Sequence, residues 1–280
     1  MGQYDDALTI FQEIHAAQKT IEKHKTAGTL NRIGNVYLMK ANYKDAVKCY
    51  QNALTVKNEY RQNHAEDATG IMYNLGLAFY KEGSYGKSLE QFQNCLAVKN
   101  SSGGYNEDEA NTLSMMAKVH VKMGRYAEAL KYFEQALDIR KKILGDEHIK
   151  TIHTMHHMGC IRCEIKELRK ADEILQYVLK KKTEILGGNA PDVGKVMIDI
   201  ARVEFFKKNY IQANVLCQNA SQIFEKALLP DIHPYVEEVN SRMQKLQPYL
   251  NLDGGRRDSD SDSWSLHSFE SQDKAEQIQK

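Results

Sequence analysis

The chain has 280 residues, with 38 basic and 37 acidic side chains and a formal net charge of +1. That balance argues against a duplex nucleic-acid binder, which works through a clear basic excess. With 42% hydrophobic residues and 15 tyrosines the chain is not an acidic disordered one, and only 4 prolines and 17 glycines favour long helices over turn-rich β architectures.

Met1 to Asp6 hold no basic segment leading into an apolar run, so no secretory signal is read there. No window approaches the roughly 18 apolar residues of a membrane span, and no membrane insertion is expected. Cys49, Cys95, Cys160, Cys163 and Cys217 are odd in number and lie in helical patterns, which predicts reduced thiols in a cytoplasmic protein. The first element, Tyr4-x-x-Ala7-x-x-x-Phe11, has the frame of the second helix of a pair, as in a fragment that begins halfway through a repeat.

From there a small residue in an apolar frame recurs at Gly34, Gly76, Ala117, Gly159 and Ala201, at spacings of 42, 41, 42 and 42 residues. Twelve residues after each comes Ala46, Ser88, Ala129, Ala171 or Ala213, followed by the apolar positions Tyr50, Phe92, Phe133, Leu175 and Cys217, then Ala53, Cys95, Ala136, Val178 and Ala220. Short turns at Asn42-Tyr43, Ser84-Tyr85, Arg125-Tyr126, Glu167-Leu168 and Asn209-Tyr210 divide each unit into two helices. Helix A offers a small residue where helix B approaches, and helix B returns a small/large/small stripe. A sixth anchor falls on Met243, where Arg242 in place of an apolar residue predicts a solvent-facing capping helix.

This small-residue code resembles the tetratricopeptide repeat, although the period exceeds the usual length of about 34 residues. The implied fold is all-α, a right-handed superhelix of antiparallel helix pairs. Its expected organisation is an array over 1–250, with a half repeat at 4–26, repeats near 27–68, 69–109, 110–151, 152–193 and 194–235, and a capping helix near 236–250. Residues 251–280, rich in serine and aspartate, are expected to be a disordered acidic tail. The inter-repeat segments Ile139–Ile149, Thr183–Val193 and Phe224–Val236, the last with His233-Pro234, together with Tyr73-Asn74-Leu75-Gly76, are similar to the kinesin light chain type of this repeat. No sustained heptad segment of the kind that engages a motor heavy chain is present.

The resemblance implies an inward-facing groove formed by the A helices. It would include Asn31, Arg32, Asn35, Tyr73, Asn74, Leu77, Tyr80, Lys81, Asn111, Lys118, Lys122, His156, His157, Lys195 and Arg202. Among the inward positions Arg32, Lys81, Lys118, Lys122, Lys195 and Arg202 outnumber the acids Glu164 and Asp199, which predicts a preference for short acidic peptides with an aromatic anchor. His153, His156, His157, Cys160 and Cys163 share one helix face, but residues strung along one helix cannot all reach one ion, and no metal or other cofactor is expected. Phosphate loops, HExxH and Gly-x-Ser-x-Gly are absent from the sequence, so no catalysis is expected.

Residues 251–280 hold seven acids and four bases, against 30 acids and 34 bases in residues 1–250. The single tryptophan, Trp264, lies in that tail near Ser259, which follows Arg256-Arg257-Asp258 as in a basophilic kinase site. The tail is therefore expected to compete for the groove. The leading expectation is an adaptor or scaffold that binds acidic linear peptides. The alternative is a sensor fragment of a larger signalling protein, such as a P-loop ATPase receptor.

Overall fold

The computed structural model describes residues 2–21, 25–60, 67–100 and 106–250. The tail with Ser259 and Trp264 lies outside the described residues. The described chain runs as α1 Gly2–Ile21, α2 Thr26–Met39, α3 Tyr43–Glu59, α4 Asp67–Glu82, α5 Tyr85–Asn100, α6 Glu107–Lys122, α7 Tyr126–Leu144, α8 Ile149–Glu164, α9 Leu168–Leu186, α10 Pro191–Phe206, α11 Tyr210–Lys226 and α12 Pro234–Leu250, with no strand among the described residues. It is all-α and built of successive helix pairs. α2, α4, α6, α8 and α10 are the A helices, and α3, α5, α7, α9 and α11 their B partners. The chain forms two compact units, Met1–Ile139 and Arg140–Lys280.

The reversal from A to B uses one device five times. Ala41, Gly83, Gly124, Lys166 and Lys208 all have positive φ, between 56° and 89°. The next residue's N–H then reaches back to the carbonyl five positions earlier: Asn42 to Tyr37, Ser84 to Phe79, Arg125 to His120, Glu167 to Arg162 and Asn209 to Glu204, at 2.8–2.9 Å. These bonds satisfy carbonyls that the helix end would otherwise leave without partners. Glycine meets the left-handed requirement without strain at Gly83 and Gly124. Ala41, Lys166 and Lys208 adopt it at a cost of about 1–2 kcal/mol each.

Packing within the pairs follows from the small residues. A Cβ on Gly34 would stand 2.6 Å from the Tyr50 ring, and one on Gly76 would stand 2.8 Å from the Phe92 ring. On Gly159 it would meet Leu175 at 2.8 Å. A Cβ there would force the facing side chain to move, so glycine is what admits these large side chains so closely. The B-helix stripes are sealed: Tyr50, Phe92, Phe133, Leu175 and Cys217 and their small neighbours are at most 1% exposed. Ser88 stands where the other repeats have alanine, and its hydroxyl donates to the Gly76 carbonyl at 2.8 Å, so its burial leaves no orphan polar group. Gly194 on α10 is a further contact residue, since its Cβ would meet Phe224 at 2.6 Å.

The capping expectation is corrected at Arg242. It does not face solvent but is 4% exposed. Its guanidinium donates to Glu238 Oε1 at 2.7 and 3.1 Å, so an ion pair on the same helix makes a charged side chain compatible with this buried position.

Candidate functional site

Within each unit, successive A helices meet in a fixed register, in which a residue on one helix, the residue four later and a residue on the next A helix converge. In the first unit these are Asn31, Asn35 and Asn74. The Asn74 amide donates to Asn31 Oδ1 and to Asn35 Oδ1, each at 3.1 Å. Tyr50 Oη donates to the same Asn35 oxygen at 2.7 Å. With that carbonyl accepting two bonds, the NH2 group of exposed Asn35 remains to meet a ligand acceptor. One step along the stack the same register holds Tyr73, Leu77 and Met115, partly buried against Tyr80 and Phe92. An amide node and an apolar node thus lie side by side on α2, α4 and α6.

In the second unit the same register holds His156, Cys160 and Asp199, and its chemistry is different. His156 Nε2 donates to Asp199 Oδ2 at 2.9 Å, while Lys182 Nζ reaches His156 Nδ1 at 3.5 Å. Lys195 Nζ lies 3.1 and 3.0 Å from the two Asp199 oxygens and 3.3 Å from Glu238 Oε2. Arg202 bonds Glu164 Oε1 at 2.6 Å and lies 3.7 Å from Asp199. Lys182 closes the far end on Asp192 at 3.4 Å. His156, Lys182, Lys195, Asp199 and Arg202 are fully buried. The cations Lys182, Lys195, Arg202 and Arg242 are matched by Asp192, Asp199, Glu164 and Glu238, which is what keeps such a network tolerable in a low-dielectric interior.

The proton affinities follow from this arrangement. Burial alone would raise the Asp199 carboxyl, but Lys195, His156 and Arg202 hold it well below the ordinary carboxylate range. Burial, reinforced by Lys182, lowers His156 from 6.5 to about 4, so the imidazole is neutral in the fold. Burial, with Asp199 next in effect, pushes the Cys160 thiol well above its ordinary value. The donor atoms of His156, Cys160 and Asp199 lie within 4.8 Å of one another, a spacing compatible with a metal ion. The electrostatics oppose it. Unit charges 4 Å apart interact by about 4 kcal/mol at an effective dielectric near 20, and a dication would face both Lys195 and Arg202. The donors are already committed to an ion-pair node, with Cys160 a neutral thiol.

One consequence is a pH dependence. The His156 proton affinity is lower in the folded than in the unfolded chain, so its contribution is present above 6.5 and is lost as pH falls towards about 4. Each pKa unit of difference is worth about 1.4 kcal/mol. The melting temperature of the second unit should therefore fall across that window, and His156→Gln should flatten the profile. An unchanged profile in the variant would assign the titration to another group.

The residues expected to face a groove divide accordingly. On the first unit Arg32 and Asn35 are exposed, while Asn31, Tyr73, Asn74, Leu77, Lys81, Asn111 and Lys122 are half-buried. Tyr80 and Lys118 are buried, with Lys81 Nζ 5.9 Å from the Tyr80 ring centre. On the second, His156, His157, Lys195 and Arg202 are buried, so the positive charges of Lys195 and Arg202 are balanced internally by Asp199, Glu238 and Glu164. Glu238 and Lys182 are parts of this network that the sequence pattern does not single out. The signal was available for Glu238, which lies 43 residues after Lys195, the same separation as His156 to Asp199 and Asn31 to Asn74.

No helix among the described residues is long and apolar enough to cross a membrane. No individual curated protein matches the sequence. Among solved structures, the chain is similar in fold to the "Podosopora anserina putative kinesin light chain nearly identical TPR-like repeats" (16% identity, TM-score 0.65, 75% of this chain and 100% of that one). It is also similar to a Rap protein complexed with competence and sporulation factor (13% identity, TM-score 0.56, 89% of this chain and 71% of that one). A third likeness is to a signal transduction ATPase with numerous domains that carries a tetratricopeptide repeat sensor, from Pyrococcus horikoshii (13% identity, TM-score 0.69, 98% of this chain and 40% of that one). Tetratricopeptide repeat profiles match residues 1–59, 67–142 and 108–184, and a second such profile matches 31–101. With its repeat register, its glycine-to-ring contacts and these profile matches in agreement, the chain belongs to the tetratricopeptide repeat family.

Proposed function

We propose that this protein is a non-enzymatic interaction module, an adaptor or scaffold of the kinesin light chain type, that holds a short extended peptide on the A-helix face of its first unit. The observation that carries this reading is the adjacency of the Asn31/Asn35/Asn74 amide node to the Tyr73/Leu77/Met115 apolar node. Asparagine amides can both donate to and accept from a peptide backbone, and an apolar node beside them takes one large side chain. Exposed Arg32 and half-buried Lys81 and Lys122 lie on the same A helices, so acidic residues flanking that anchor would be favoured. The buried, charge-balanced face of the second unit serves as a structural spine in this reading.

The test uses a short synthetic peptide with one aromatic residue among acids. Its affinity for the intact protein is compared with that for Asn74→Ala and for Arg32→Glu, with melting curves to verify folding. Asn74→Ala should weaken binding about tenfold, or about 1.4 kcal/mol. Arg32→Glu should weaken it and reduce its salt dependence. Unchanged affinity in both variants would remove the reading. The alternative, a sensor array within a larger signalling protein, is favoured only by the fold likeness to the repeat-bearing ATPase.

A further inference from the structure

The repeat pattern is broken at one edge of the second unit, where its A helices end and turn into their B partners. Phe206 stands where the other repeats carry Met39, Lys81, Lys122 and Glu164. Tyr249, at the end of α12, stands where they carry Lys40, Glu82, Met123, Ile165 and Lys207. Both rings join one cluster with Phe205 and Tyr210. Tyr249 stacks on Tyr210 with centroids 4.5 Å apart, and Phe205 lies 5.4 Å from each of them and 5.9 Å from Phe206. Phe206, Tyr210 and Tyr249 are only half-buried, and Lys166 Nζ sits 3.0 Å above the Phe206 ring centre. Of the acids around them, Glu164 is paired with Arg202, Glu167 with Arg162 and Lys170, and Asp172 and Glu204 with Lys207. The exposed cations of the two turns are Lys166 and Lys208.

We infer that this edge is the docking site of the chain's own segment 258–266, with Trp264 on the ring cluster and its aspartates towards Lys166 and Lys208. The pattern of the segment selects it. In an extended chain alternate side chains share a face. Asp258, Asp260, Asp262, Trp264 and Leu266 would therefore line one side, and the intervening serines the other. Carboxylates followed by an indole and a leucine are the complement of lysines beside aromatic rings. The connection selects it as well, because α12 brings Tyr249 into the cluster itself. Fourteen residues lead from Leu250 to Trp264, a reach of at most about 50 Å. A short tether of this kind gives an effective concentration on the order of millimolar, which a separate peptide of the same chemistry would have to exceed. The site lies on the second unit and is independent of the peptide-binding reading of the first.

The test uses the full chain and the emission of Trp264, which as the single tryptophan reports this segment alone. Blue-shifted emission is expected, with acrylamide quenching at least threefold weaker than in a synthetic peptide of residues 256–268. Phe206→Glu and Lys166→Glu should each at least double the quenching. Both should fold, since the position of Phe206 takes Lys81 and Lys122 in other repeats and Lys166 is exposed, and melting curves verify this. Asn74→Ala and Arg32→Glu should leave the quenching unchanged, so failure of the peptide-binding reading would not disturb this result. Peptide-like quenching in the intact chain, or insensitivity to either Phe206→Glu or Lys166→Glu, would overturn the inference. Release of Trp264 by Arg32→Glu would place the segment in the groove of the first unit, and protection lost on dilution would place it on a second copy. Either result would overturn it too.

Discussion

Replacing Asp199 with alanine should destabilise the second unit by about 3–5 kcal/mol, the loss expected when one partner of a buried ion pair is removed. Asp199 is the one carboxylate that receives His156, Lys195 and Arg202 together, at 2.9, 3.0 and 3.7 Å. Without it Lys195 keeps only the longer contact to Glu238 at 3.3 Å, and the His156 N–H loses its acceptor inside the protein. The loss would therefore come mainly from stranded positive charge rather than from missing attraction. A second substitution distinguishes the two. Adding Lys195→Met to Asp199→Ala should recover part of the stability, since it removes a buried cation while keeping its aliphatic volume. Hydrogen exchange resolved by helix is the suitable measurement, because repeat arrays need not unfold in one step. Protection in α8, α10 and α12 should fall while that of α2 to α5 is retained. A loss below about 1 kcal/mol, in the range of exposed pairs, would mean that the network is better solvated than its burial indicates.

Phe92→Ala should cost about 3–5 kcal/mol, the range for removing a fully buried aromatic side chain. The ring is 0% exposed and lies between Gly76 and Tyr73, whose ring centre is 5.6 Å away. Gly76→Leu should also destabilise, because the ring occupies the space its side chain would enter. Together the two substitutions should cost less than their sum, since the leucine fills the cavity left by the ring. The cycle is read by denaturant unfolding, and simple additivity would show that the glycine and the ring do not share one packing constraint. The result also bears on function, because the Phe92 core supports the Tyr73/Leu77/Met115 node.

The repeat was legible because it is enforced by sterics that appear as residue type. Gly34, Gly76 and Gly159 are glycine for lack of 3 Å of room, and the reversals at Gly83 and Gly124 require positive φ. The same reversal at Ala41, Lys166 and Lys208 left no such mark, because neighbouring packing imposes a conformation those residues do not prefer. The amide node was half legible, since Asn31, Asn35 and Asn74 belong to the inward set but the convergence of two of their oxygens on the Asn74 amide nitrogen depends on the superposition of two helices.

What the sequence determined by itself was the helix-pair architecture, its 42-residue register and the sites where small residues admit large ones, all of them local volume constraints that recur at fixed spacing. What only the tertiary structure decided was which charges act outwards. Lys195 and Arg202 count in the sequence as part of a basic face, whereas in the fold their carboxylate partners include Asp199 and Glu164, and Arg242 turns inward to Glu238. Charge is a property of a residue, but the field it presents depends on burial and on its partners, and burial, like the partner 38 positions away that Arg202 finds in Glu164, exists only once the A helices are stacked.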